Sequence, residues 1–178
     1  MCGIVGALNE SRESVIKGML DRIKHRGPDD LGFKIFNDAS IGNVRLSIID
    51  IAGGHQPMHN NKENTWLVYN GEIYGYNDIR SQYIREGYQF KTLSDTEVIL
   101  ALYEKHDLNL FSYLNGMFSF CLYDKKRERI IIARDHFGIK PIVYTIVQNS
   151  MYFSSEVKAF YAIPEWRPRP DMNAWHSF

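Results

Sequence analysis

The sequence predicts an α+β domain, and three observations carry that prediction. Segments with strand character and segments with helix character come in blocks rather than in strict alternation, which disfavours a doubly wound parallel fold. Several of the strands are apolar on both faces, so layers are expected on both sides of the sheet. The 178 residues, 44% of them hydrophobic, suffice for one domain with a substantial core.

The elements follow in order. Residues 2–8 (CGIVGAL) are short, apolar and bounded by Asn9, and read as a strand. Val15, Ile16, Met19, Leu20 and Ile23 recur at helical spacing, so residues 12–24 form a helix with one apolar face. Arg26-Gly27-Pro28-Asp29 is a turn. Phe33–Phe36 and Ser40–Val44 are short strands, and residues 51–62 are a loop. Thr65–Tyr69 is a strand that ends in the turn pair Asn70-Gly71. Asn77 is placed to cap a helix running to Gly87, with Ile79 and Tyr83 on one face. Ser94-Asp95-Thr96-Glu97 stands before an apolar run and reads as a capping box, Ser94 capping and Glu97 reaching back. Residues 117–123, 129–133, 142–146 and 151–154 are consecutive strands, and 155–162 are helical. The domain is expected to span 1–164. From Glu165 the sequence changes character: Trp166-Arg167-Pro168-Arg169-Pro170 cannot form a regular helix and reads as a linker. Ala174, Trp175 and Phe178 then begin a further apolar pattern, so 165–178 is expected to lead into another domain.

Composition narrows the function classes. The 21 basic and 21 acidic side chains cancel, which gives no reason to expect nucleic acid or an anionic membrane as partner. No apolar run approaches a membrane span, and the start MCGIVGALNE lacks the basic, then long apolar pattern of a signal peptide, so a cytoplasmic protein is expected. Two cysteines, Cys2 and Cys121, make no disulfide framework. Gly3-Ile4-Val5-Gly6 lacks the third glycine of a dinucleotide fingerprint. His55 and His59 have the spacing of helical metal ligands, but Pro57 and the neighbouring glycines argue against a helix there, and no metal site is expected.

Cys2 is the most informative residue. A small second residue permits removal of Met1, which leaves a thiol and a free α-amine on one residue. That amine, with a pKa of about 8, can take the thiol proton, so nucleophile and base come together. Position alone favours a small buried residue opening a strand. Cys121, between Phe120 and Leu122, is a core thiol. An Asn70 amide beside the Gly71 N–H can donate twice to one oxygen, as an oxyanion hole requires, although spacing alone favours an ordinary Asn-Gly turn. Asp95 at a helix start suits either the helix dipole or a substrate ammonium. Arg45 is either a surface cation or a fork for a carboxylate.

In combination, MCGIVGAL (1–8), HRGPDD (25–30), RLSIID (45–50), NGEIYGYNDIR (70–80), SDTEVIL (94–100), GMFSFCLYD (116–124) and RDHFGIKPIVY (134–144) resemble the class II glutamine amidotransferase domain of the glutamine-hydrolysing asparagine synthetase family. The resemblance implies the N-terminal nucleophile (Ntn) hydrolase fold, a four-layer αββα sandwich of two antiparallel sheets between helical layers. It implies that Cys2 attacks the glutamine side-chain amide, that Asn70 and Gly71 form the oxyanion hole, that Arg45 holds the α-carboxylate, and that Asp95 with Glu72 holds the α-ammonium. The HRGPDD turn shapes the surroundings and is given no chemistry. The implied enzyme is a glutaminase half in asparagine biosynthesis, with no cofactor or metal of its own. ATP and magnesium are expected only in a C-terminal or separate synthetase domain, whose pyrophosphate loop does not occur in these 178 residues. Homodimerisation is left open. The competing readings are an N-terminal cysteine amidase for another amide, which the Arg45 and Asp95 pair argues against, a thiol redox protein, which lacks a CxxC partner, and a catalytically silent regulatory or partner-binding module on the same fold.

Overall fold

Alternation along the nine strands of the described residues sorts the side chains into layers. The computed structural model describes residues 1–169 and Met172; Ala174, Trp175 and Phe178 of the expected further domain lie outside the described residues. The strands are β1 (Gly3–Leu8), β2 (Asp30–Ile35), β3 (Ala39–Arg45), β4 (Met58–His59), β5 (Thr65–Ile73), β6 (Gly116–Asp124), β7 (Arg129–Arg134), β8 (Val143–Val147) and β9 (Ser150–Ser154). They form a five-stranded sheet in the order β2-β3-β1-β9-β8 and a four-stranded sheet in the order β4-β5-β6-β7, and every pairing is antiparallel.

Helix α1 (Glu13–Ile23) covers the first sheet. Its Val15, Ile16, Met19, Leu20 and Ile23 are buried against Val5, Ala7, Val44 and Tyr152. Five such side chains are worth about 10 kcal/mol of gross burial. On the other side, α2 (Tyr76–Arg85) and α3 (Asp95–His106) cover the second sheet, where Ile99 and Leu102 belong to one cluster with Leu67, Phe118 and Leu122. Between the sheets lies a smaller apolar layer of Ile4, Ile41, Val68, Cys121 and Phe153. The result is the αββα sandwich that the resemblance implies.

Several local expectations need correction. Asn70-Gly71 is not a turn: β5 runs on to Ile73, with Asn70 opposite Ser119 and Gly71 opposite Phe118. The glycine answers to close approach, since a Cβ there would stand 2.4 Å from the Met117 carbonyl oxygen and 2.7 Å from Phe118 Cα. Asn77 lies inside α2; the cap is Gly75, left-handed at φ 69°, a conformation glycine adopts without strain. Only half of the capping box forms. Ser94 Oγ accepts from Thr96 N at 3.2 Å, but the Glu97 carboxylate turns to Lys91 N and Thr92 N. The 51–62 loop contains the short strand β4. Residues 157–162 form a 3-10 rather than an α-helix; two further 3-10 segments among the described residues are Lys24–Arg26, where the turn from Arg26 was expected, and Asp107–Tyr113 after α3. At the expected linker, Trp166 is held: its indole N–H donates to Thr145 Oγ1 at 3.2 Å and its ring packs on Phe160 and Tyr161.

Cys121 is fully buried in the inter-sheet layer, and burial pushes its thiol up. A hydroxyl in its place would lack a ready partner. Cys121→Ser should therefore lower unfolding free energy by about 1–3 kcal/mol in a denaturant titration while leaving Cys2 reactivity intact.

Candidate active site

The same alternation builds the site. The inter-sheet side chains of successive strands are apolar in the middle of the sandwich and polar toward one end. Two residues before Ile4 comes Cys2. After Ile41 come Asn43 and Arg45, after Val68 come Asn70 and Glu72, and before Cys121 come Ser119 and Met117. Cys2, Arg45, Asn70, Gly71, Glu72 and Asp95 all line one cleft at this end. The structure thus brings together every site residue singled out in the sequence.

Cys2 is half-buried at the head of β1. Its thiol donates weakly to the Leu46 carbonyl at 3.7 Å. Arg26 holds the residue from behind, Nε donating to the Cys2 carbonyl at 3.0 Å and Nη1 bonding Glu156 Oε1 at 2.8 Å. The HRGPDD turn, given no chemistry above, therefore positions the cysteine. Partial burial pushes the Glu156 carboxyl up, but hydrogen bonds from Arg26, Lys158 and His25 outweigh this and hold it at about 2.

Two donors face the cleft unused. Asn70 Nδ2 is buried and has no hydrogen-bond partner among the described residues. The Gly71 N–H follows from strand geometry. The N–H groups of Tyr69 and Ile73 leave the edge of β5 away from β6, to Gln56 Oε1 at 2.6 Å and Asp95 Oδ2 at 3.2 Å. Gly71 lies two residues from each, so its N–H points to the same edge. Strand β4 pairs only with Trp66 and Leu67 and does not reach it.

At the other side of the cleft, Asp95 is buried at the start of α3, and Oδ2 also accepts from the Tyr69 hydroxyl at 2.7 Å. Burial raises its pKa, opposed by the bonds from Tyr69, Ile73 and Thr96. Arg45 is not a free surface cation. Nη1 donates to Ile51 O at 3.2 Å, and Nη2 to Ile49 O at 2.8 Å and Asp50 O at 2.7 Å. Three of its five N–H groups thus hold the 46–54 loop, leaving Nε–H and one Nη1–H. Asp50 ties that loop down again, with Oδ1 accepting from Gly53 N at 2.9 Å and Oδ2 from Leu93 N at 2.7 Å. A Cβ at Gly54 would stand 2.2 Å from Arg45 Nη2, so only glycine lets the guanidinium pack there.

Sequence reasoning missed Gln56, Arg26 and Lys140. Gln56 sits in a loop with no periodicity to read. Arg26 was read only as part of a turn, and Lys140 lay inside a segment valued for resemblance alone. The two loop histidines are occupied elsewhere: His55 pairs with Asp30 at 2.7 Å, and His59 stacks on Trp66. Among the described residues no group of three His, Cys, Asp or Glu side chains is placed to hold a metal, and no helix is long and apolar enough to cross a membrane.

Two comparisons define the class and then the family. The fold is that of the Ntn amidotransferases. The chain matches the Bacillus subtilis glutamine phosphoribosylpyrophosphate amidotransferase solved with ADP and GMP at a TM-score of 0.77 and 22% identity, over 90% of this chain and 43% of that one. The chain belongs to the glutamine amidotransferase domain family, whose model matches residues 1–178. It is 42% identical over 166 residues to asparagine synthetase [glutamine-hydrolyzing] 1 of Bacillus subtilis, covering 89% of this chain and 26% of the relative. It is 39% identical over 167 residues to asparagine synthetase B of Escherichia coli, covering 89% and 30%. Amidase chyE of Penicillium rubens is 42% identical over 151 residues, covering 83% and 22%. The chain thus spans about a quarter of the length of these relatives.

The Glu156 carboxylate has its pKa lowered on folding from 4.5 to about 2, so its stabilising contribution is complete above about pH 4.5 and is lost as pH falls toward 2. Glu156→Gln should remove about 1–2 kcal/mol at pH 7, less the share that residual exposure screens, and flatten the stability profile in that window. Urea titrations of both proteins between pH 2 and 7 check this; parallel profiles would contradict it.

Proposed function

We propose that this domain hydrolyses the side-chain amide of glutamine to glutamate and ammonia through a Cys2 thioester. The observation that carries the reading is the buried, unpartnered Asn70 amide beside the free Gly71 N–H, both opening on the cleft that holds the Cys2 thiol. An aligned pair of idle donors next to a nucleophile suits an oxygen that becomes charged during the reaction. The far end of the cleft suits an amino acid. The remaining N–H groups of Arg45 take the α-carboxylate, and Asp95 with Glu72 takes the α-ammonium.

Chemistry follows from these positions. Met1 is absent from the working enzyme, so Cys2 carries a free α-amine. The amine accepts the thiol proton as sulfur bonds to the amide carbon, and the carbonyl electron pair moves onto oxygen, between Asn70 Nδ2 and Gly71 N. As the intermediate collapses, the amine returns the proton to the leaving nitrogen, which departs as ammonia. Water then adds to the thioester, the amine taking its proton, and glutamate leaves as the thiol is restored. This half of the reaction needs no metal and no cofactor.

The relatives named as glutamine-hydrolysing asparagine synthetases support a further step. The ammonia passes to an ATP- and magnesium-dependent synthetase unit, C-terminal or separate, that amidates aspartate, and the stretch from Glu165 leads toward such a unit. A reducing cytoplasm suits a catalytic thiol that must stay free.

Cys2→Ala should abolish ammonia release while retaining glutamine binding by calorimetry. Protein whose intact mass retains Met1 should be equally inactive, because its Cys2 nitrogen is an amide. Full glutaminase activity in either sinks the mechanism. Asn70→Ala should lower kcat by about 10²–10³, the worth of one oxyanion donor, with KM little changed. Asp95→Ala should instead act mainly on KM. A pure KM effect at Asn70 would place it against the ground state.

A further inference from the structure

Lys140 is the charged group at the cleft that the proposed reaction leaves unused. It is 8% exposed and lines the same cavity as Cys2 and Asn70. Among the described residues its ammonium makes no salt bridge, and its one hydrogen-bond partner is the thioether of Met1, at 3.6 Å. A thioether is a weak acceptor, so neither ion pairing nor hydrogen bonding explains why an ammonium is buried here.

Its position is nevertheless firmly imposed. The Asp135 carboxylate accepts from Phe137 N at 3.1 Å and Ile139 N at 3.0 Å on one oxygen, and from Phe118 N at 3.2 Å and Lys140 N at 3.0 Å on the other. Asp135 N donates back to Phe118 O at 2.7 Å. Gly138, at φ 67°, supplies the left-handed step that closes the turn. The turn that carries Lys140 is thus fastened to β6 at the residue opposite Gly71.

The sulfur it touches belongs to the residue whose removal exposes the nucleophile. Once Met1 is gone, the cavity that Lys140 lines also holds the new α-amine of Cys2. We infer that Lys140 is a positioning residue that keeps the α-amine of Cys2 unprotonated, so that the amine can act as the base for its own thiol. This rests on the glutaminase reading above. A fixed positive charge within a few ångströms disfavours a second one by about 1–3 pH units. The surrounding charges leave this role to Lys140. Arg26, on the Cys2 carbonyl, is paired with Glu156, and Arg45, at the end of β3, keeps its charge but turns three of its N–H groups onto the carbonyls of the 46–54 loop. Glu72 from β5 and Asp95 from α3 line the cleft as carboxyl groups and favour protonation, while burial beside Asp95 keeps the Tyr69 hydroxyl neutral.

The test uses the Met1-free domain and its Lys140→Gln and Lys140→Arg variants, with two readouts. One is the pH dependence of kcat/KM for glutamine. The other is the pH dependence of Cys2 alkylation by iodoacetamide, resolved from Cys121 by peptide mass. In Lys140→Gln the acid limb of both curves should move up by about one pH unit, and Lys140→Arg should keep the wild-type position. Coincident curves in folded Lys140→Gln, or an equal shift in Lys140→Arg, overturn the proposal, since a purely structural role lowers amplitude without moving the midpoint. If Lys140→Gln does not fold, Lys140→Met keeps the stem and is read in the same way. A wild-type domain that releases no ammonia at any pH refutes the glutaminase reading instead, while the alkylation curves still decide the role of Lys140.

Discussion

Everything in this domain depends on the apolar contact between the two sheets. Ile4, Ile41 and Phe153 from one sheet meet Val68 and Cys121 from the other, and all five are essentially excluded from water. That contact fixes the facing of β1, β3, β5 and β6 at once. Because side chains alternate with a strict period of two, each strand that places an apolar residue in this layer places its neighbours two positions away on the same face. Cys2, Arg45, Asn70 and Glu72 therefore face one another as a consequence of core packing. A slip of one residue in β5 would turn Asn70 toward the helices and send Tyr69 into the inter-sheet layer. Specificity of register and assembly of the site are one constraint here.

The polar end of that layer is held at some expense. Asp95 is buried and its carboxylate shifts upward in consequence, yet the Tyr69 hydroxyl and the Ile73 N–H are aimed at it. Arg45 offsets its burial by bonding carbonyls of its own loop, and Asp50 ties that loop to the approach of α3 through Leu93. These groups are satisfied by neighbours in the backbone, which leaves few mobile partners in the cleft. Asn70 Nδ2 is the exception, and Asn43 Oδ1 and Ser119 Oγ, also buried and on the same face, share its unpartnered state. Buried polar atoms without partners destabilise a fold by about 1–3 kcal/mol each, and of these three it is Asn70 Nδ2, which lines the cleft with Cys2, that points to function rather than to packing.

The sequence announced the core more clearly than the site geometry. The α1 stripe was legible because burial there follows the helical period, and the strands from Gly116 to Ser154 because they are short apolar runs. The six site residues were legible by type and by resemblance, but their convergence is a matter of sheet pairing between segments as far apart as Cys2 and Asp95, and no local pattern encodes it. Asn70-Gly71 shows the limit clearly. The pair carries a strong short-range turn signal, yet β6 captures it in a ladder, and the glycine serves close backbone contact. Gln56, Arg26 and Lys140 escaped for the same reason. Each acts through long-range contacts, with β5, with β1 and Glu156, or with the cleft, and each sits in a stretch without periodicity.

The nucleophile proposed here sits beside a chain terminus, a difficulty that the topology resolves. Terminal residues fray unless something ties them down, and a fraying Cys2 could not keep its sulfur aligned with two donors on another sheet. Here the strand it opens is the central one. β1 pairs with β3 from Gly3 onward and with β9 from Val5, and Ser155 extends the second contact to Ile4, accepting its N–H at 2.9 Å and donating to its carbonyl at 2.9 Å. Arg26 then fixes the Cys2 carbonyl from outside the ladder. The peptide plane is thereby anchored on its carbonyl side, and only the nitrogen and the thiol are left to face the cleft. A terminus built this way can be shortened by one residue without loosening the strand, because no ladder pairing involves Met1. Release of the amine and retention of the geometry are compatible for that reason.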